Sequence, residues 1–91
     1  MRSEEEEKLC KGFGRNLASV RNQLHWSQER LALESGLARS YISDVERGIR
    51  NVALVNIFRL ADTLGVDVAT LMAFRLSNDN AGNQNEPRSA D

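Results

Sequence analysis

The chain has 91 residues, of which 41% are hydrophobic, 5% aromatic and 27% charged, and its formal net charge is −1. A chain of this length holds one small domain with one core, and its single cysteine excludes an internal disulfide. No apolar run approaches the roughly 20 residues that cross a bilayer, and the opening MRSEEEEK lacks the regions of a signal peptide. We therefore expect a cytoplasmic protein with no membrane partner.

The charge is distributed unevenly along the chain. Residues 1–8 and 77–91 each carry a net charge of −2, whereas residues 9–76 hold nine basic and six acidic residues, a net charge of +3. A mildly basic body suits a polyanionic partner, although +3 is also an ordinary solubility charge for a small domain. We predict an acidic N-terminal tail over residues 1–8, a folded domain over residues 9–76 and a disordered polar tail over residues 77–91. In a second interpretation, the glutamates near the N-terminus sit ahead of the first helix and complement the positive end of its dipole.

Apolar spacing predicts helices along the folded part. The first helix has one apolar face with steps of four, four, three and four, formed by Leu9, Phe13, Leu17, Val20 and Leu24. Ser27 is a good N-cap for a second helix, and Gly36 suits its left-handed end. The third helix turns Ile42 and Val45 inward and stops at Gly48.

Two further helices follow in the same way. The fourth ends at Gly65, and its predicted inward face is Leu54, Ile57, Ala61 and Leu64. Asp67 can cap a short fifth helix that contains Val68, Leu71 and Met72. Five helices and no strand make the predicted fold class all-α.

The second and third predicted helices have the pattern of a helix-turn-helix. Two helices that cross steeply need a small residue at the crossing and a glycine in the turn, and Ala32 and Gly36 meet these needs. With Ile42 and Val45 packed inward, the third helix exposes Arg39, Ser40, Ser43 and Asp44. An exposed helix that is held rigidly by its partner is suited to insertion into a groove.

The segments SQERLA, SYISDVERG and NIFRLADTLGV resemble the phage repressor and Cro family of helix-turn-helix regulators, also called the XRE family, over roughly residues 13–74. The resemblance implies a five-helix, lambda-repressor-like domain. It also implies a transcriptional regulator that binds a pseudo-palindromic double-stranded DNA operator as a homodimer, with the third helix, about residues 38–47, in the major groove. The run RSYISDVERGIRN also resembles the small controller proteins of restriction-modification systems.

The resemblance assigns roles to individual residues. The implied base contacts are Arg39, Ser40, Ser43 and Asp44. Arg39 is the first choice for specificity because a guanidinium can bridge guanine O6 and N7, whereas an aspartate can only accept, for instance from cytosine N4. The implied phosphate contacts are Gln28, Tyr41, Arg47 and Arg50.

Three further residues bear on the scaffold of the domain. The resemblance pairs Arg21 with Glu46 as an internal ion pair. Ala38 stands where relatives usually carry a side-chain N-cap for the third helix, which costs about 1 kcal/mol of local stability.

The fifth helix and the residues after it carry more apolar side chains than a short terminal helix needs for docking. We predict a dimer interface formed by Val68, Leu71, Met72 and Phe74. The alternative is that all four side chains pack within the monomer.

Two other function classes compete with a DNA-binding regulator. One is an antitoxin or protein-interaction module that uses the helix-turn-helix as a scaffold and orders residues 77–91 on its partner. The other is an enzyme, which the lack of any acid–base, nucleophilic or metal-ligating constellation opposes. We expect no catalytic residues, no metal, no cofactor and no small-molecule ligand.

Overall fold

A computed structural model of the protein describes residues 2–75. They form five α-helices and contain no strand, which confirms the predicted all-α class. The helices are α1 (Glu4–Gln23), α2 (Gln28–Ser35), α3 (Arg39–Glu46), α4 (Leu54–Leu64) and α5 (Val68–Leu71). None of the helices in this part of the chain is both long and apolar enough to cross a membrane. The predicted tail over residues 77–91 lies outside the described residues.

The first helix begins earlier than predicted. The Ser3 hydroxyl accepts a hydrogen bond from the Glu6 backbone N–H (3.1 Å), and the Glu6 carboxylate accepts one from the Ser3 backbone N–H (2.9 Å). This reciprocal capping box fixes the start of α1, and the glutamates of its first turn complement the helix dipole. The prediction that residues 1–8 form a tail is therefore wrong from Glu4 onward.

One hydrophobic core joins the five helices. Its buried members are Phe13, Leu17, Val20, Leu31, Ala32, Ile42, Val45, Leu60, Ala61, Leu64 and Leu71. The predicted inward residues of the first three helices are among them, except for Leu9 and Leu24, which are exposed. These two residues lie beyond the part of α1 that is buried, which runs from Cys10 to Arg21.

The first helix crosses the third at very short range, and a glycine makes this approach possible. A Cβ added at Gly14 would collide with the carbonyl oxygen of Val45 and would lie 2.7 Å from that of Glu46. Backbone atoms cannot rotate out of the way as a side chain can. The position of α3 against α1 therefore depends on the missing side chain.

The helix-turn-helix is built by α2, α3 and the three residues between them. Ser27 caps α2 by accepting from the Arg30 backbone N–H (3.0 Å). Gly36 ends α2 with a φ of 79°, a left-handed conformation that suits glycine. Ala38 precedes α3 without a side-chain hydrogen bond, which confirms the expected missing cap. The observed α3 agrees with the predicted span of about residues 38–47 to within one residue at each end.

The short last helix is attached to the first by one side chain. The amide nitrogen of Asn16 donates hydrogen bonds to the carbonyl oxygens of Thr70 (2.8 Å) and Leu71 (2.7 Å). Carbonyl groups at a helix end have no partner within the helix and need one from elsewhere. Asn16 supplies it, and so fixes α5 against α1.

Candidate nucleic-acid interface

The third helix has one buried face and one open face. Ile42 and Val45 are buried in the core. On the other side of the helix, Arg39 and Ser40 are exposed, and Ser43 and Asp44 are partly exposed. Because residues three and four apart lie on the same side of a helix, these four predicted base-contacting residues share the open face.

Two predicted phosphate-contacting arginines lie at the end of this face, beside an aspartate. Arg47 approaches one oxygen of Asp44 with its Nη1 (3.9 Å), and Arg50 approaches the other with its Nε (3.8 Å). The guanidinium of Arg50 also lies over the ring of Tyr41, 5.3 Å from its centroid. The hydroxyl of Tyr41 accepts a hydrogen bond from the side-chain amide of Asn56 in α4 (3.0 Å). Tyr41 and Arg50 are thus held in place on the surface of the domain.

A buried ion pair connects α1 with the end of α3. The Arg21 guanidinium binds Glu46 through two bonds, Nε to Oε2 (2.6 Å) and Nη2 to Oε1 (2.9 Å). Its third nitrogen donates to the carbonyl oxygen of Trp26 (2.7 Å). The hydrogen bond to Glu46 raises the pKa of Arg21 against the opposing effect of burial, so the guanidinium stays charged. The predicted internal pair is confirmed.

The predicted phosphate contact Gln28 belongs to the same network. Its side-chain nitrogen donates to Glu46 Oε1 (2.9 Å), and the side chain is partly buried. A primary amide has two N–H donors, so one of them is left for a DNA phosphate at the start of α2. A phosphate contact by Gln28 stays a prediction.

Comparison with known proteins agrees with this geometry. Residues 17–71 match the family described as Helix-turn-helix. The chain belongs to the helix-turn-helix family. It is 46% identical over 63 residues to control protein C.BamHI of Bacillus amyloliquefaciens, which covers 68% of this chain and 78% of that protein.

Solved structures of helix-turn-helix proteins are similar to this one. The restriction-modification controller protein C.AhdI of Aeromonas hydrophila has a TM-score of 0.70 and 46% identity, and the match covers 76% of this chain and 99% of that one. A second similar structure is that of the restriction-modification controller protein C.Esp1396I, solved as a tetramer in complex with its natural 35 base-pair operator. It has a TM-score of 0.64 and 27% identity, and the match covers 77% of this chain and 87% of that one.

One cation that the sequence patterns did not predict lies beside the loop after α3 of this helix-turn-helix domain. Lys11 of α1 lies against the loop that follows α3, because a Cβ at Gly48 would be 2.5 Å from the Cγ of Lys11. Its ammonium pairs with Glu7 at 3.4 Å, and both side chains are half exposed. No local pattern could have placed Lys11 here, since the contact joins two distant parts of the chain.

The predicted dimer interface of the helix-turn-helix domain needs correction at Leu71, and at Val68, Met72 and Phe74 it stays a prediction. Leu71 is fully buried in the core, so its predicted place in an interface is wrong. Phe74 is partly buried and packs edge-on against Phe13, with ring centroids 6.3 Å apart. Val68 also packs against the core, and only Met72 is exposed. The apolar side chains of the short α5 are largely used to close the monomer.

Three of the large apolar residues that stay exposed lie close together in sequence at the start of α4. Leu54, Val55 and Phe58 are 68%, 67% and 56% exposed, and we refer to them as the α4 apolar face. Val55 and Phe58 also border a shallow groove with Val66 and Val68. The prediction that Leu54 points inward is wrong, because none of the helices within residues 2–75 covers this turn of α4. A small protein that exposes several large apolar side chains together presents a candidate contact surface.

Proposed function

We propose that the protein is a sequence-specific transcriptional regulator that binds a pseudo-palindromic double-stranded DNA operator as a homodimer. The observation that carries this proposal is the open face of α3, where Arg39 stands among small polar side chains and Arg47 and Arg50 follow at its end. A helix of this kind fits the major groove, with side chains that read base edges at its centre and cations that meet phosphates beside it.

Within this proposal each part of the face has its own task. Arg39 reads a guanine through O6 and N7, and Ser40, Ser43 and Asp44 contact neighbouring base edges. Arg47, Arg50, Gln28 and Tyr41 contact phosphates, and Lys11 adds a cation near the same loop. The rigid Arg21–Glu46 network stays inside the protein and holds α3 at the correct angle.

The relatives favour one subtype of regulator. Control protein C.BamHI and the controller protein C.AhdI are each 46% identical to this chain. We therefore infer that the protein controls the expression of a restriction-modification system and acts in the cytoplasm, where the operator is. Binding rather than catalysis is its function, and it needs no cofactor.

The α4 apolar face is our candidate for the homodimer contact. Exposed apolar side chains at the centre of an isologous interface supply much of the binding energy of a dimer. The complex of C.Esp1396I with its operator contains a tetramer, which shows that a similar domain assembles with itself. A dimer places two copies of α3 in successive major grooves, with half-sites roughly 34 Å apart.

We expect Phe58→Arg to weaken the dimer by at least about 30-fold without unfolding the monomer, because the ring is exposed in the monomer and would be buried in the dimer. Sedimentation equilibrium gives the dimer dissociation constant, and circular dichroism reports the fold. Leu33→Arg is the matched control, since Leu33 is an 83% exposed leucine on α2. A dimer that tolerates Phe58→Arg as well as Leu33→Arg would place the interface elsewhere.

The DNA proposal is tested by titration of the wild-type protein and two variants with operator and random duplex at two salt concentrations. The operator is sought upstream of the protein's own gene. We expect Arg39→Ala to lose about 1–3 kcal/mol on the operator and little on random DNA. Arg47→Ala should weaken binding to both duplexes and reduce its salt dependence by about one unit of slope.

Arg15→Ala serves as the control for these two variants, because Arg15 is an exposed arginine on α1 and belongs neither to the open face of α3 nor to the α4 apolar face. It should leave both affinities close to those of the wild type. If the wild-type protein binds operator and random duplex equally well, the proposed function is wrong.

A further inference from the structure

Asp44 is an acidic residue in a surface that is proposed to bind a polyanion. Its carboxylate is the most covered of the three charged groups at the end of α3, with 31% of the side chain exposed against 69% for Arg47 and 55% for Arg50. Each of its two oxygens faces a different arginine, at 3.9 and 3.8 Å. The carboxylate therefore attracts both guanidinium groups, across distances that are longer than a hydrogen bond.

This arrangement has an electrostatic consequence for DNA binding. A carboxylate oxygen presents to a guanidinium the same kind of charged acceptor that a phosphate oxygen presents. When Arg47 and Arg50 bind a DNA phosphate, each of them either breaks its ion pair with Asp44 or contacts the carboxylate and the phosphate at the same time. In both cases the gain from the phosphate contact is reduced, for DNA of any sequence.

The Asp44 carboxylate can also form a new hydrogen bond with the DNA, but only where the base sequence offers a donor. Asp44 lies on the open face of α3, where base edges in the major groove are within reach in the proposed complex. Cytosine N4 and adenine N6 are hydrogen-bond donors there, whereas guanine O6 and N7 and thymine O4 are acceptors. A carboxylate that meets a donor is satisfied, and one that meets an acceptor is left without a partner and repelled.

We propose that Asp44 is a specificity-determining residue that acts mainly by penalising wrong DNA. It holds Arg47 and Arg50 as an internal substitute for phosphate, and it releases them at low cost only where the operator offers a cytosine or adenine amino group. This inference rests on the proposed function, and it adds that the discrimination depends on an internal carboxylate as well as on Arg39. Exposed ion pairs are weak, so the effect is a few-fold for each arginine.

The test uses Asp44→Asn in the full chain, because asparagine keeps the shape of aspartate and removes the charge. Fluorescence anisotropy measures binding to the operator and to a scrambled duplex over a range of salt concentrations. We expect binding to the scrambled duplex to become about three- to tenfold tighter and its salt dependence to become steeper. Operator binding should gain less, so the ratio of the two affinities falls.

Glu34→Gln is the matched control. It also removes one negative charge and breaks one exposed ion pair, that of Glu34 with Arg30 at 3.2 Å, but it does so on α2. We expect less than a twofold change on either duplex. Equal gains for Asp44→Asn and Glu34→Gln would mean that only the overall charge matters and would overturn the inference.

A second pair of proteins isolates the route through the arginines. In a background of Arg47→Ala with Arg50→Ala, the change Asp44→Asn should tighten binding to the scrambled duplex less than it does in the wild type, because only the direct repulsion between Asp44 and base acceptors is left to remove. An undiminished gain in that background would show that the two arginines play no part in the effect and would overturn the inference. The result for the wild type is judged separately, because a wild-type protein that does not prefer the operator contradicts the proposed function itself.

Discussion

Replacing Arg21 by methionine is expected to lower the free energy of unfolding by about 3–5 kcal/mol. Methionine fills much of the same space, but it leaves the buried carboxylate of Glu46 with only the hydrogen bond from Gln28. It also removes the donor to the carbonyl oxygen of Trp26. Urea denaturation followed by circular dichroism measures the loss.

Two further variants test whether the burial of the Arg21–Glu46 ion pair explains the loss of stability in Arg21→Met. Lys11→Met breaks an ion pair with Glu7 that is about half exposed, and it should cost less than about 1 kcal/mol. The double variant Arg21→Met with Glu46→Met removes both buried charges, and it should recover a large part of the stability that the single variant loses. A single variant that is no less stable than Lys11→Met would show that the pair contributes little to the fold.

Gly14→Ala is expected to destabilise the protein by about 3 kcal/mol, although alanine favours a helix by about 1 kcal/mol over glycine. The new methyl group would meet the carbonyl oxygens of Val45 and Glu46, so α1 and α3 must separate. Since α3 carries the open face, we also expect weaker operator binding at temperatures where the variant is still folded. Thermal unfolding and the DNA titration measure the two effects.

The control for Gly14→Ala lies half a turn away on the same helix. A Cβ at Gly12 would be 2.6 Å from an atom of the Phe74 ring, but an aromatic side chain, unlike a backbone carbonyl group, can rotate away. Gly12→Ala should therefore remain within about 1 kcal/mol of the wild type, because the gain in helix propensity offsets the repacking. Equal losses at both positions would mean that helix α1 tolerates added volume neither where it faces α3 nor where it faces Phe74.

The helix-turn-helix could be predicted from the sequence because local chemistry and periodicity agree there. Ser27 and Gly36 mark the two ends of α2, and the spacing of Ile42 and Val45 fixes which side of α3 is open. The early start of α1 was also readable, since Ser3 and Glu6 have the spacing of a capping box. The density of glutamates there favoured a solvated tail over a helix start.

Other features depend on contacts between distant parts of the chain. Periodicity predicts an apolar face of a helix, but it does not tell which neighbour covers each turn, so Leu54 and Leu71 were assigned to the wrong environments. The contact of Asn56 with Tyr41 and the approach of Lys11 to Gly48 arise only when the helices pack. The ion pair of Asp44 with Arg50 depends on the path of the loop after α3, whereas its pair with Arg47 is a local contact between residues three apart.

The hydrogen bonds from Asn16 to the end of α5 bear on how the domain is completed during synthesis. The donor and the two acceptors are separated by 54 and 55 positions in the sequence. In addition, α5 has only four residues, and so short a helix is not stable by itself in water. As long as Leu71 of a nascent chain is still inside the ribosome, the side-chain amide of Asn16 in α1 lacks its two carbonyl acceptors. The apolar face of α1 then also lacks its contact with Leu71. We therefore expect the core to become fully packed only after α5 has been synthesised and has left the ribosome.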